Sequence, residues 1–387
     1  KAVMLELFPD DGFQSSLERA MDGRWPDIYI DHQSAFKLPD PQHESFPALV
    51  REAMEFFMDD RLSIYGGNDN DGSGDGDTPF DEYCPVRIRR DGDCYVIYNW
   101  WSGAKIRMAP EGKGFTSASR PELVDLKITN QCPYQCSFCY QSSTPDGKHA
   151  SRQDIGEVIE ALGINGAGVF EVAIGGGEPT AHEYFDGIIR TCVENYIRPN
   201  FTTFAVDWLL DDSKVSAANL CGGIGVSVHS EKDLGKVQKI MDRVKGPTVT
   251  AQHVFGTVPP EETMQILSRA TDRKIPVLLL GYKQVGFGEG GNEIDQRDIV
   301  QNWRFKYLEK LRLSVDTAFA EKHQWFLDAV EANKLFVTKT EGAFSMYVDA
   351  VTGRLGPSSY CNDDQMVPFT DLRSEIVARF PFAQEAA

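Results

Sequence analysis

Hydrophobic and polar positions along the middle of the chain follow two alternating rhythms. Short runs of strand length and composition recur at Val124–Thr129, Val169–Ile174, Asn200–Val206, Gly223–His229, Thr248–Phe255 and Pro276–Gly281. Between them the period lengthens to that of amphipathic helices, as where Ile155, Val158, Ile159 and Leu162 fall at i, i+3, i+4 and i+7. Ser151 with Asp154 reads as the capping box of that helix, and Thr180 with Glu183 as the cap of the next. Six successive units of this kind predict an α/β fold, a partial (β/α)6 parallel barrel. In such a barrel, chemistry belongs at the carboxyl ends of the strands.

The flanks read differently. Residues 1–118 predict an α+β N-terminal domain with a helical region around Phe46–Met58 and an acidic, Gly-rich segment at Asn68–Thr78. Strands Val86–Arg90 and Cys94–Trp101 follow, joined by the hairpin turn Asp91-Gly92-Asp93. Within the acidic segment, Asp69, Asp71, Ser73 and Asp75 copy the opening of a calcium loop, but Phe80 stands where a bidentate Glu is needed. The stretch Asp69–Asp77 therefore reads as a solvated linker. Residues 119–318 carry the barrel. Residues 319–387 predict a helix at Phe319–Ala332 and a small C-terminal β-hairpin extension, from Ala343–Val348 through a turn at Asp349–Gly353 to Arg354–Cys361.

Cysteine spacing adds chemistry to this outline. Three of the eight cysteines fall in Cys132-Pro-Tyr-Gln-Cys136-Ser-Phe138-Cys139, at the end of the first barrel strand. Three thiolates on one tight loop can hold three corners of an iron–sulfur cube and leave the fourth iron open, whereas ordinary four-cysteine sites close every position. A structural zinc site would want a fourth ligand, and none is nearby in the sequence. The second strand ends in Gly175-Gly176-Gly177-Glu178-Pro179, where glycines permit close backbone approach to a ligand and the carboxylate offers an acceptor for an ammonium.

At these residues the sequence resembles the radical S-adenosylmethionine (radical SAM) superfamily. The resemblance implies that Cys132, Cys136 and Cys139 bind a [4Fe–4S] cluster whose free iron chelates S-adenosylmethionine, with Phe138 at the family's hydrophobic position before the last cysteine. It implies that Gly176, Gly177, Glu178 and Pro179 hold the methionine amino group. Polar residues near the ends of the later strands then become candidates for the rest of the cofactor: Thr203 beside Thr202, Ser227 and His229, Gln252 and His253, and Lys283 beside Tyr282. Ser227 and His229 alternate along one strand, which would aim both into the barrel.

The C-terminal segment resembles the SPASM/twitch extension of peptide-modifying radical SAM enzymes. It keeps Gly356-x-x-x-x-Cys361, yet no cysteine lies between Cys221 and Cys361 and none follows. The extension thus reads as retained in shape and stripped of its auxiliary cluster. Cys361 is either a remnant or a hydrogen-atom donor, since an S–H bond is weak enough to quench a carbon radical. Cys192, on a helical face with Phe185 and Ile189, reads as core, and Cys221 as structural.

Composition narrows the partners. The formal charge is −19, from 39 basic and 58 acidic side chains, which disfavours nucleic acid. No apolar run reaches the length of a bilayer span, and the clustered thiols suit a reducing compartment, so a cytoplasmic protein with no membrane partner is expected. The reaction expected is hydrogen abstraction from a ribosomally made precursor peptide, with Cα epimerisation leading and a flavodoxin or ferredoxin as electron donor. Peptide cross-linking or excision, small-molecule radical chemistry, RNA modification and a non-catalytic iron–sulfur scaffold stay open.

Overall fold

A computed structural model describes residues 2–3, 86–91, 94–100, 103, 105–108, 117–291, 293–299, 311–330 and 340–382. The helical region at 46–58, the acidic segment at 68–78, Cys84 and the tip of the N-terminal hairpin turn lie outside the described residues. The chain divides into two compact units, Phe8–Ser119 and Arg120–Ala387, the latter joined by Lys1–Leu7.

In the smaller unit the two predicted strands form a hairpin, β2 (Val86–Asp91) with β3 (Cys94–Asn99). A third strand, β4 (Lys105–Met108), pairs antiparallel with β3 and completes a three-stranded sheet. Inside it, the Arg89 guanidinium donates to Asp91 at 2.8 Å, and both groups are buried.

The larger unit holds an open sheet whose core strands are β5 (Leu123–Thr129), β6 (Glu171–Gly176), β7 (Arg198–Thr203), β8 (Gly223–Ser227), β9 (Thr248–Val254) and β10 (Val277–Leu280). All six are parallel, and each lies beside its sequence neighbour. On one face Val124, Leu126, Ile128, Val172, Ile174, Ile224, Val226, Val277 and Leu279 are buried, as are the apolar stripes of the connecting helices. In the helix Arg152–Leu162 that stripe is Ile155, Val158, Ile159 and Leu162, and Ser151 accepts a hydrogen bond from the Asp154 amide as its cap. The opposite face is polar, carrying Lys127, Thr202 and Gln252 at alternate positions.

Two strands extend the parallel run beyond the six expected. β11 (Leu313–Asp316) pairs parallel with β10, and β12 (Ser345–Asp349) pairs parallel with β5. The C-terminal hairpin is therefore not a separate layer. β12 continues the barrel sheet and passes it on to β13 (Arg354–Gly356) and β14 (Val367–Pro368), while β1 (Ala2–Val3) closes the far edge against β11. Lys127 and Asp349, opposite each other on β5 and β12, form a buried ion pair at 3.2 Å that fixes this junction.

Three local expectations change. Thr180 does not cap the helix Phe185–Glu194; it lies in a short 3₁₀ turn, Pro179–Ala181, that Glu178 caps. β7 stops at Thr203 rather than Val206, because the amides of Phe204 and Ala205 turn away from the ladder to Glu178. The helix expected at 319–332 is two short ones, Thr317–Lys322 and Gln324–Ala329, broken at His323. Asp316 caps the first, accepting from the Phe319 amide at 2.7 Å, and residues 331–332 lie outside the described residues. No helix among the described residues is long and apolar enough to cross a membrane.

Candidate active site at the carboxyl edge of the sheet

The three cysteines follow β5 on a loop whose two ends are tied down. At its start, the Gly177 amide donates to the Thr129 carbonyl at 2.8 Å and the Glu178 amide to the Gln131 carbonyl at 2.7 Å. Gly176 sits at φ +117°, a left-handed backbone that favours glycine, and a Cβ on Gly177 would run into the Gln131 carbonyl. The glycine run thus lets the end of β6 lie directly against the stem of the cysteine loop. A Cβ on Gly175 would meet nothing within 4 Å, so open space lies beside it.

Cys132, Cys136 and Cys139 are all part-exposed. Burial pushes the Cys132 and Cys136 thiols up; negative charge on Glu178 and then Cys139 raises Cys132 further, and charge on Cys132 and Cys139 raises Cys136, so the three lie within electrostatic reach of one another. Among the described residues no three His, Cys, Asp or Glu side chains converge on a single metal-ion position. That counts against a single zinc ion. It does not count against a cube, in which each thiolate takes a different iron. Three soft donors around one space, next to a glycine cradle, fit a cluster with one iron left open.

Glu178 is buried and its carboxylate is heavily engaged. Oε1 accepts from the Thr203 hydroxyl at 2.7 Å, the Thr180 hydroxyl at 2.7 Å and the Thr180 amide at 3.2 Å. Oε2 accepts from the amides of Phe204 at 3.0 Å and Ala205 at 3.2 Å. Pro179 opens the turn that presents Thr180. Glu178 and Thr203, both predicted to meet cofactor, are thus brought together, and their first work is to join the ends of β6 and β7. A ligand ammonium at Glu178 would share an acceptor that already has five donors.

Aromatic rings form a second wall. Phe138 meets His229 edge-on at 5.3 Å between centroids, and His229 stacks on Phe204 at 4.9 Å with 17° between planes. Tyr134 of the cysteine loop meets Phe204 edge-on at 4.6 Å. Burial lowers the His229 pKa, which keeps the ring neutral and suited to stacking. β8 ends at Ser227, beside Gln252 of β9, so His229 lies beyond the strand rather than on it. Gln252 reaches across Gly225 to accept from Thr202 at 3.0 Å, and His253 is fully buried against the Val228 carbonyl.

Lys283 lies in a third cluster with the loop and the C-terminal segment. Its ammonium is over Tyr140 at 4.2 Å and Tyr360 at 4.8 Å from the ring centroids, and 3.9 Å from Asp316 Oδ2. Burial alone would lower its pKa, but the acidic groups of Tyr140, Asp316, Asp125 and Glu341 outweigh that and raise it, so the charge persists. Tyr360 in turn donates to Glu341 at 3.0 Å. Neither Tyr140 nor Tyr360 was suggested by the sequence; Tyr140's place directly after Cys139 is the only available signal.

Cys361, next to Tyr360, is part-exposed and packs over Gly356, where a Cβ would stand 3.1 Å from its Sγ. Gly356 is opposite Tyr347 on β12, so the two project from the same face of the sheet. From that face the Tyr347 hydroxyl reaches Gln141, two residues past Cys139, at 3.4 Å. Cys192 and Cys221 are buried elsewhere, in the helix and ahead of β8.

Comparison with known proteins agrees with this geometry. The radical SAM superfamily matches residues 126–296, a span that runs from β5 past the Gly-rich loop after β10. This stretch is a radical SAM domain. The family uses a [4Fe–4S] cluster and S-adenosylmethionine. PqqA peptide cyclases of Rhodopseudomonas palustris and Bradyrhizobium diazoefficiens are each 30% identical over 128 residues, which is 33% of this chain and 32% of each relative. The chain thus matches about a third of the length of those curated relatives. Among solved structures, Streptococcus suis SuiB bound to the precursor peptide SuiA superposes with a TM-score of 0.51 at 13% identity, over 71% of this chain and 82% of that one. The anSMEcpe enzyme with bound AdoMet superposes at 0.50 and 14% identity, over 67% and 80%. At such identities the two superpositions establish the fold.

Proposed function

We propose that the protein is a radical SAM enzyme that modifies a ribosomally made peptide, with Cα epimerisation as the reaction and Cys361 as the hydrogen-atom donor. When bound, the cluster and S-adenosylmethionine supply a carbon radical able to take hydrogen from an unactivated position. Cys132, Cys136 and Cys139 would hold the cluster. Gly176, Gly177, Glu178 and Pro179, with Thr203, would shape the corner offered to the amino-acid end of the cofactor, and Phe138, Ser227 and His229 would meet the rest of it. Lys283 braces the loop against the C-terminal segment.

The observation that carries the reading is the position of Cys361, on the face of the extended sheet from which Tyr347 reaches the cysteine loop. Abstraction leaves a planar carbon radical at Cα. Transfer of the Cys361 sulfhydryl hydrogen to the opposite face forms the new Cα–H bond and leaves a sulfur radical. One electron from a flavodoxin- or ferredoxin-type donor, with a proton from solvent, restores the thiol. No two-electron acceptor is needed.

The test is co-expression with short open reading frames adjoining the gene, in ordinary and in deuterated water. Epimerisation leaves peptide mass unchanged in the first and adds one deuterium at Cα in the second, and Cys361→Ala abolishes it. A Cys361→Ala enzyme that epimerises normally contradicts the assignment. A second reading, carbon–carbon cross-linking, is favoured by the similarity to PqqA peptide cyclases. It requires an acceptor for a further electron, and it removes two hydrogens from the peptide, which mass alone distinguishes.

A further inference from the structure

The start of the cysteine loop is held by the glycine turn after β6, as described above. The end of the loop is held by a different element, the short 3₁₀ turn Gly286–Gly288 in the segment that follows β10. There the Phe287 amide donates to the Cys139 carbonyl at 2.9 Å. Gly286 has φ +63°, and a Cβ on it would stand 2.5 Å from the Tyr140 carbonyl oxygen and 2.7 Å from the Ser142 hydroxyl. A Cβ on Gly288 would come within 3.4 Å of the Phe138 carbonyl. Three consecutive residues thus lie against the backbone of Phe138, Cys139 and Tyr140. The Phe287 side chain itself is 44% exposed, so the contact belongs to the backbone.

We propose that this turn is a clasp that positions the third cluster ligand, with Phe287 and Gly286 as positioning residues. The proposal rests on the reading that Cys132, Cys136 and Cys139 hold the cluster. A thiolate on a loop tied at one end only would wander about its Cα. The Cys139 carbonyl also accepts from the Ser142 amide at 3.2 Å within the loop, and the Phe287 amide adds the hold from outside it, so the Sγ position is set before iron arrives. Partners that orient ligands in this way commonly govern how firmly a metal is kept. The clasp also places Lys283, three residues before Gly286, over the ring of Tyr140, which ties the end of the loop to the C-terminal segment.

The experiment compares Phe287→Pro, which removes the amide donor, with Phe287→Ala, which keeps it. Gly286→Ala, which adds the crowding Cβ, is set against Gly290→Ala, which has φ +68° but open space around it. Each protein is reconstituted anaerobically, and iron and sulfide content, the electron paramagnetic resonance spectrum of the reduced cluster, and the rate of iron loss to a chelator are measured. Circular dichroism melting of the apo proteins checks folding. Phe287→Pro and Gly286→Ala should lose iron roughly 10-fold or more faster than the parent and show an altered cluster spectrum. Phe287→Ala should match the parent, and Gly290→Ala should hold iron as the parent does although both glycine variants, at positive φ, melt somewhat lower as apo proteins. If Phe287→Pro holds iron as the parent does, with the same spectrum, the clasp is wrong. Cys139→Ala run alongside separates the two ideas, since a Cys139→Ala protein with a full cluster would overturn the ligand reading itself.

Discussion

Two sets of cysteines in this chain have opposite surroundings. Cys132, Cys136 and Cys139 stand part-exposed on a loop at the carboxyl edge of the sheet, within each other's electrostatic reach. Cys192 and Cys221 are buried, and burial drives their thiols far above the ordinary range and leaves them unreactive. The difference is one of placement. A thiol on a helix face at the spacing of Phe185 and Ile189 packs as a small hydrophobe, whereas a part-exposed thiol on a glycine-braced loop is open to a metal.

The largest effect that could break this contrast is loss of iron. Cys139→Ala should fail to assemble the cluster and should form no 5′-deoxyadenosine, while Cys192→Ala should keep both. Iron analysis of the two reconstituted proteins decides it. Next in size is the corner that braces the loop. Glu178→Ala would leave the buried Thr203 hydroxyl and the part-buried amides of Phe204 and Ala205 without their shared acceptor, and should cost about 3 kcal/mol in urea unfolding.

A similar cost attaches to acid, through a residue outside the site. His253 is fully buried and its pKa is lowered to about 4, first by burial. The unfolded chain therefore binds a proton near pH 6.5 that the folded chain refuses until about pH 4. Stability attributable to this residue is present above pH 6.5 and is lost as pH falls through that window, by about 3 kcal/mol in all. His253→Gln should flatten that part of the unfolding profile, whereas an unchanged slope would assign the acid sensitivity elsewhere. Smallest is Cys192→Ala, which trims one buried sulfur and should cost about 1 kcal/mol with no change in cluster content. Native-state alkylation sharpens the same point: in the apo protein Cys132, Cys136 and Cys139 should label readily, while Cys192 and Cys221 should not.

Much of this was legible in the sequence because it is written in local pattern. The strand cores of β5 to β10 and the helix capped by Ser151 follow from periodicity and a cap, and each lies within a few residues of where the pattern put it. The cysteine loop and the glycine turn are likewise contiguous motifs. What was not legible depends on long-range pairing. Nothing near Ser345 announces that it will lie beside Leu123 in a parallel ladder, so the hairpin read as a separate extension. Thr180 and Glu183 have the spacing of a capping box, but Glu178 competes for the Thr180 amide and hydroxyl and wins. Tyr140, Tyr360 and Asp316 gather around Lys283 from three distant segments, and nothing local to Gly286-Phe287-Gly288 signals its contact with Cys139.

The central claim is that the loop Cys132–Cys139 holds a cluster with one iron open to S-adenosylmethionine. The most direct measurement is electron paramagnetic resonance of the anaerobically reconstituted, reduced protein before and after S-adenosylmethionine is added, with 5′-deoxyadenosine quantified in the same sample. A shift of the cluster signal on addition, accompanied by 5′-deoxyadenosine, is the expected result. A cluster signal that does not respond, with no 5′-deoxyadenosine formed, would contradict the account.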